Sequence, residues 1–182
     1  MQSQRKAVEK SVQGWKNKKE GASFEADVIR SCESYEKYKL AFIEKTPEPM
    51  KVIGKLSDRV FKAIYEKQAQ PDFKGTLCGG RAICFDAKCT CTDKIALSML
   101  TDEELRCLEL HRELGAWAGV LMCFIQGNKR TYAMIPISIF MSAKALNGHK
   151  HWTVDEVSRW KVKGTATLNG YLIDFLAGII TD

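Results

Sequence analysis

The sequence predicts a mixed α/β (α+β) domain with a central mixed sheet flanked by helices. Segments with the apolar period of an amphipathic helix alternate along the chain with short apolar runs of strand length. Their order reads helix, strands, helix, strands, helices, which packs helices against a sheet. The composition agrees: 182 residues, 45% hydrophobic and 27% charged, suit one soluble domain with a real core. The longest apolar run, Trp117 to Ile125, is strand-sized and far short of the ~18 residues of a membrane span.

The first twenty residues hold Arg5, Lys6, Lys10, Lys16, Lys18 and Lys19 against Glu9 and Glu20, so +4 of the formal +6 lies there. Residues 1–20 are expected to form a basic flexible arm ahead of a domain over 21–182. Such an arm suits a polyanion through counterion release, and a merely solvated tail has the same charge pattern. "MQSQRKAVEK" lacks the apolar stretch of a secretory signal. Seven cysteines, an odd number, fit reduced thiols in a cytosol-like compartment.

A helix is expected from Ser23 as N-cap, with Phe24, Val28, Cys32 and Tyr35 on its core face and Glu25 in its first turn. "KLAFIE" reads as a strand, and "TPEPM" breaks regular structure. "SDRVFKAIYEKQ" follows as a short amphipathic segment with Ser57 as candidate cap; its plainest reading is a helix with a solvated basic face. Lys45, Lys51, Lys55, Arg59, Lys62 and Lys67 stud this region.

Residues 72–77 and 81–90 read as two strands joined by "CGG". "TDEELRCLELHREL" is a helix opened by a capping box, Thr101 with Glu104. "WAGVLMCFI", the turn "QGNKR" and "TYAMIPI" form a strand pair. A second capping box, Thr153 with Glu156, opens a short helix, and "NGYLIDFLAGII" reads as a C-terminal helix.

The stretch "PDFKGTLCGGRAICFDAK" carries the chemistry. Strand alternation puts Cys84, Asp86, Lys88 and Thr90 on one face and Ile83, Phe85, Ala87 and Cys89 on the other, in the core. The hairpin folds Asp72 back toward Asp86. Two carboxylates with the intervening Ala87 backbone carbonyl make a hard-oxygen site for Mg²⁺ or Mn²⁺. Lys88, two residues on, can orient a water and stabilise a pentavalent phosphoryl transition state. Glu25 could add a ligand or an outer contact. By itself the spacing equally describes an exposed Asp/Lys pair worth ~0–1 kcal/mol.

With these residues in place, Pro-Asp…Asp-x-Lys resembles the core of the PD-(D/E)xK nuclease superfamily, which has a restriction-endonuclease-like fold. More closely, the order of segments is similar to RecU-type Holliday junction resolvases, the family once labelled penicillin-binding-protein-related factor A. The matching stretches are "GASFE", "IEKTPEPMKVI", "DRVFKAIYEKQAQPDFKG", "ICFDAKCT", "WAGVLMCFI" and "GYLIDFL", most of the chain from Gly21 onward. The resemblance implies a cytoplasmic, nucleoid-associated homodimer, bacterial or phage-encoded, that binds four-way branched DNA. It implies paired Mg²⁺-dependent nicks during recombination and repair, with Mn²⁺ able to substitute and no small-molecule cofactor or membrane.

In that family Asp72, Asp86 and Lys88 fall on catalytic positions and Glu25 on the early helix glutamate. Residues 44–70 fall on a protruding stalk, which gives Lys45, Lys51, Lys55, Arg59 and Lys62 a role in binding DNA beside Lys16, Lys18 and Lys19. The chain departs from the family at Pro71, where threonine is usual, and at Asp86, where glutamate is usual. It has "TDEELRC" where the family carries a His-Gln pair. Another nuclease of the superfamily acting on duplex or flap DNA, or a non-catalytic junction-binding factor, remains an alternative. The cysteines read as small buried thiols, His149 and His151 as a surface pair, and Lys129 and Arg130 as charges of a turn.

Overall fold

A 36-residue helix, α1 (Gln2–Lys37), opens the chain in the computed structural model, which describes residues 2–65, 70–146 and 148–179. Side chains are described from Gly14 onward, except at 15, 65 and 178. The helix does not begin at Ser23. Residues 2–20, expected as a flexible arm, are helical and continuous with the rest of α1. They contain no proline, and Gly14 and Gly21 each disfavour a helix by only ~1 kcal/mol, so nothing stops it there. Phe24, Val28, Cys32 and Tyr35 are buried, as their spacing predicts.

After α1 come β1 (Ala41–Lys45), β2 (Met50–Ser57), β3 (Val60–Tyr65), β4 (Phe73–Leu77), β5 (Ala82–Thr90) and β6 (Lys94–Ala96). Helix α2 (Asp102–Glu113) leads to β7 (Trp117–Gln126), β8 (Lys129–Pro136) and α3 (Ile137–Ala145). The chain ends through β9 (His151–Thr153), a 3₁₀ turn at Glu156–Trp160, β10 (Lys161–Val162), β11 (Gly164–Thr167), β12 (Gly170–Ile173) and a 3₁₀ turn at Phe175–Gly178. The main sheet has six strands in the order β1-β4-β5-β7-β8-β10. All neighbours are antiparallel except β5 and β7, so the sheet is mixed. A parallel pair needs a crossover, and α2 lies on it.

That crossover covers the second face of the sheet. On one face Phe24, Val28 and Tyr35 of α1 pack with Phe73, Phe85 and Leu121. On the other, Leu105 and Leu108 of α2 and Phe140 of α3 pack on Cys84, Val120, Met122 and Phe124. The face bearing Cys84 and Asp86 is therefore also a core face. Gly75 lets β4 fit between its neighbours, since a Cβ there would lie 2.0 Å from the Phe42 carbonyl oxygen.

Two segments differ from the sequence reading. The amphipathic segment after Pro49 is a β-hairpin, β2–β3, turned at Asp58-Arg59. Gly54 and the β-branched Val52, Ile53, Val60 and Ile64 favour strand over helix. Its stalk-range neighbours 66–69, including Lys67, lie outside the described residues. The C-terminal stretch is not a helix: β11 and β12 form a hairpin, and Gly170 reaches φ +132° where the turn re-enters β12.

Among the described residues no helix is long and apolar enough to cross a membrane. Arg130 is not a free turn charge; it binds Glu20 and Asp27 and anchors α1 on β8. Of the free cysteines, Cys32, Cys84 and Cys123 are buried and Cys78 is exposed.

Candidate active site

The site forms where one strand outruns its neighbour. Phe73 opposite Phe85 is the last pair between β4 and β5, while β5 continues along β7 with Asp86 opposite Val120 and Lys88 opposite Met122. From residue 86 on, the β4-side edge of β5 has no strand to bond. Asp72, one residue before β4, occupies it. The Ala87 N–H donates to Asp72 Oδ2 at 2.9 Å, and the Asp72 N–H donates to Asp86 Oδ1 at 3.0 Å. The Thr46 N–H donates to the Asp72 carbonyl at 2.8 Å and holds the loop after β1 on the same residue. Stacked Phe73 and Phe85 rings, 5.1 Å apart, pin the pair from the core side.

Lys88 reaches over both aspartates. Its Nζ lies 3.4 Å from Asp86 Oδ2, 3.8 Å from Asp72 Oδ2 and 3.6 Å from Glu104 Oε1. The sequence reading assigned Glu104 only to the capping box, which forms as expected: the Thr101 N–H donates to Glu104 Oε2 at 2.6 Å, and the Glu104 N–H to Thr101 Oγ1 at 3.2 Å. The motif fixes the carboxylate in the first turn of α2. Which strand that turn faces is set by the crossover.

Burial raises the Asp86 carboxyl to about 6, although Lys88 opposes it. Asp72 is raised for the same reason. Burial alone would lower Lys88, but Asp86, Asp72 and Glu104 outweigh it, and the ammonium is held above its usual range. Glu104 shows the opposite balance: burial pushes it up, and the Thr101 N–H with Lys88 brings it below the usual carboxylate value.

These residues fit a divalent cation. Three carboxylates face one ammonium, leaving a partly buried cluster two charges negative when all are ionised, which calls for a counterion. Asp86 Oδ2 is buried, and apart from the Lys88 ammonium at 3.4 Å it has no hydrogen-bond partner among the described residues. A residue in a strand projects its N–H and C=O to the same edge, so the Ala87 carbonyl shares the edge where its N–H meets Asp72. Among the described residues no three His, Cys, Asp or Glu side chains could hold a metal by themselves. Two aspartates and a backbone carbonyl on one strand edge are oxygen donors of the kind Mg²⁺ takes, and such a set leaves positions for water and substrate oxygens.

Glu25 and Lys45 are brought together at the border of this cluster, not into it. They form an ion pair, which raises Lys45, and both act electrostatically on Asp72 or are acted on by it. The other basic residues stand apart. Lys51, Lys55, Arg59 and Lys62 are exposed on the β2–β3 hairpin, with Lys55 2.9 Å from Asp58, and Lys16, Lys18 and Lys19 are exposed on α1.

The fold is similar to that of Hjc, a Holliday junction resolvase from the archaeal hyperthermophile Archaeoglobus fulgidus, at 12% identity, 87% of this chain, 99% of that chain and a TM-score of 0.47. No curated protein matches. The family model of recombination protein U (RecU) matches residues 19–180, a span that contains Glu25, Asp72, Asp86, Lys88 and Glu104. The chain belongs to the RecU family.

Proposed function

We propose that this RecU-family chain is a structure-selective endodeoxyribonuclease that resolves four-way DNA junctions in recombination and repair, with Asp72, Asp86 and Lys88 as its catalytic group. One observation carries the proposal. Across the open edge of β5, Asp86 accepts from the Asp72 N–H and Asp72 accepts from the Ala87 N–H, and Lys88 stands 3.4 Å from the buried Asp86 Oδ2.

Asp72, Asp86 and the Ala87 carbonyl would hold a divalent cation, Mg²⁺ or in its place Mn²⁺, which when bound supplies charge neutralisation at a phosphoryl oxygen and a more acidic water. In the metal-free chain three carboxylates outweigh burial and hold the Lys88 ammonium above its usual range. That ammonium donates to the attacking water or a non-bridging phosphate oxygen and offsets charge as the pentavalent transition state forms. Without a cation, burial raises the Asp86 carboxyl to about 6, so above that pH it is ionised and able to take one. Glu25 orients Lys45 at the border, where that lysine meets the DNA backbone. The exposed basic residues of the hairpin and α1 bind phosphates at a distance from the chemistry. Paired nicks across a junction need two sites, so the working form is a homodimer.

The test is cleavage of four-way, forked and linear DNA of equal sequence, with and without Mg²⁺. Junction cutting that needs the cation is expected. Equal cutting of linear duplex would reassign the chain to a general or flap nuclease, and no cutting with retained junction binding would make it a non-catalytic factor.

A further inference from the structure

We infer that Glu104 is a positioning residue of the site, holding the Lys88 ammonium over the two aspartates by its charge. The inference rests on the nuclease reading above and concerns a residue of α2 that the Asp72–Asp86–Lys88 group does not include.

The two carboxylate oxygens of Glu104 divide their work. Oε2 accepts from the Thr101 N–H at 2.6 Å and the Thr101 hydroxyl at 2.9 Å, while Oε1 faces Lys88 Nζ at 3.6 Å. The first contact places the second. Held by the cap, the Glu104 side chain has little freedom left. The helix that carries it is fixed by Leu105 and Leu108, both fully buried against the sheet. Lys88 has the opposite problem. Its long side chain, 14% exposed, has many rotamers to lose. Among the described residues the ion pairs that hold it are to Asp86, Asp72 and Glu104. The two aspartates are also the side chains that would hold a cation. Oxygens turned to a cation cannot hold the ammonium as well, so Glu104 is the partner left to keep Lys88 in place.

The capping role does not require a charge. A glutamine at N3 completes a capping box as a glutamate does. A neutral glutamine keeps the cap in a weaker form but loses the ion pair with Lys88, so E104Q bears on the contact with Lys88 far more than on the cap. E104A removes both.

The experiment is single-turnover cleavage of a four-way junction in Mg²⁺ by the full chain, E104Q and E104A, with junction binding without cation and thermal melting measured in parallel. E104Q is expected to melt and bind junction like the parent while its rate at saturating protein falls about 10- to 100-fold, the usual loss when a group orienting an active-site residue is removed. E104A is expected to lose the rate and also to melt lower. Parental rates in E104Q would overturn the inference and leave Glu104 as a cap. So would an E104Q protein that melts well below the parent, or a rate loss matched by weaker binding. A parent chain that does not nick junctions would overturn the nuclease reading itself, and this inference with it.

Discussion

The central strand β5 and the hairpin β2–β3 are built on opposite terms. On β5, Asp86 is 1% exposed, lies between two apolar cores and has its neighbours fixed by hydrogen bonds. On the hairpin every residue of β2 is exposed, and Leu56 and Phe61 stand 70% and 56% open. An isolated two-stranded hairpin is marginal in water, so its core contributes almost nothing to holding it. The contrast assigns the work. Charge on β5 is placed by packing and can do chemistry, whereas the hairpin exposes basic and apolar side chains together. On the approach to the hairpin, the Thr46 N–H donates to the Asp72 carbonyl.

The largest effect should come from the buried region. Lys88→Ala removes the one ammonium among three carboxylates, and junction cleavage is expected to fall about 10²- to 10³-fold. Junction binding without cation should stay within about twofold of the parent, since a 14%-exposed side chain offers DNA little surface. Single-turnover cleavage beside a gel-shift titration checks it. A binding loss as large as the rate loss would erase the division between the two regions.

Replacing Met50–Tyr65 by a short turn is the reciprocal experiment. No residue of β2 is buried, so the melting temperature should shift by no more than a few degrees. Preference for a four-way junction over linear duplex should drop about tenfold, measured by competition binding. Substituting Lys51, Arg59 and Lys62 by glutamine should give part of that loss. A truncated protein that unfolds would show the hairpin to be structural, and an unchanged preference would remove it from recognition.

This division explains what the sequence made legible. Strand alternation, the β4–β5 hairpin, the β7–β8 pair and the capping box at Thr101 were readable because each has a local signature. Asp72, Asp86 and Lys88 followed from that alternation. The hairpin β2–β3 was not readable: with no face buried, its apolar residues have no period to follow, and Lys55, Arg59 and Lys62 mimic a solvated helix. "NGYLIDFLAGII" misled for a related reason, since Asp174 divides its apolar run into a strand that Gly170 opens and a 3₁₀ turn. Glu104 was seen and given a complete account as a cap, so nothing prompted a second role. The long-range crossover that turns it toward Lys88 has no local trace.

Protonation of Asp86 gives a smaller, graded effect. Burial raises its carboxyl to about 6, so the folded metal-free chain binds that proton more tightly than the unfolded chain does. The stabilisation is complete below the ordinary carboxylate value and is lost as pH rises through about 6. The metal-free parent should therefore melt a few degrees lower at pH 7.5 than at pH 5, relative to Asp86→Asn, which lacks the titration. Mg²⁺ should raise the melting temperature at pH 7.5 more than at pH 5, because only the ionised carboxylate holds it. Equal pH dependence in parent and variant would assign the effect to other groups.

The smallest effect is expected on α1, and its design follows from the fold. Deleting residues 1–20 would remove Glu20, whose contact with Arg130 at 3.0 Å helps fix the helix on β8, so a deletion confounds charge with structure. Substituting Lys16, Lys18 and Lys19 by glutamine leaves that contact in place. Lys18 and Lys19 are exposed, and at about 100° per residue Lys19 lies opposite the Phe24 and Val28 face that enters the core. They can meet a phosphate backbone without unpacking anything. Each lysine that neutralises a phosphate contributes about 0.9 to the slope of log affinity against log salt, so the triple substitution should flatten the slope by up to about 2.7. Cleavage of bound junction should not change, because Asp72, Asp86 and Lys88 are held from β5 and the residue before β4. An unchanged slope would make this stretch of α1 a solvated helix. A lower cleavage rate at saturation would instead extend the buried region's preorganisation along α1, through Arg130 and Asp27, further than the site geometry implies.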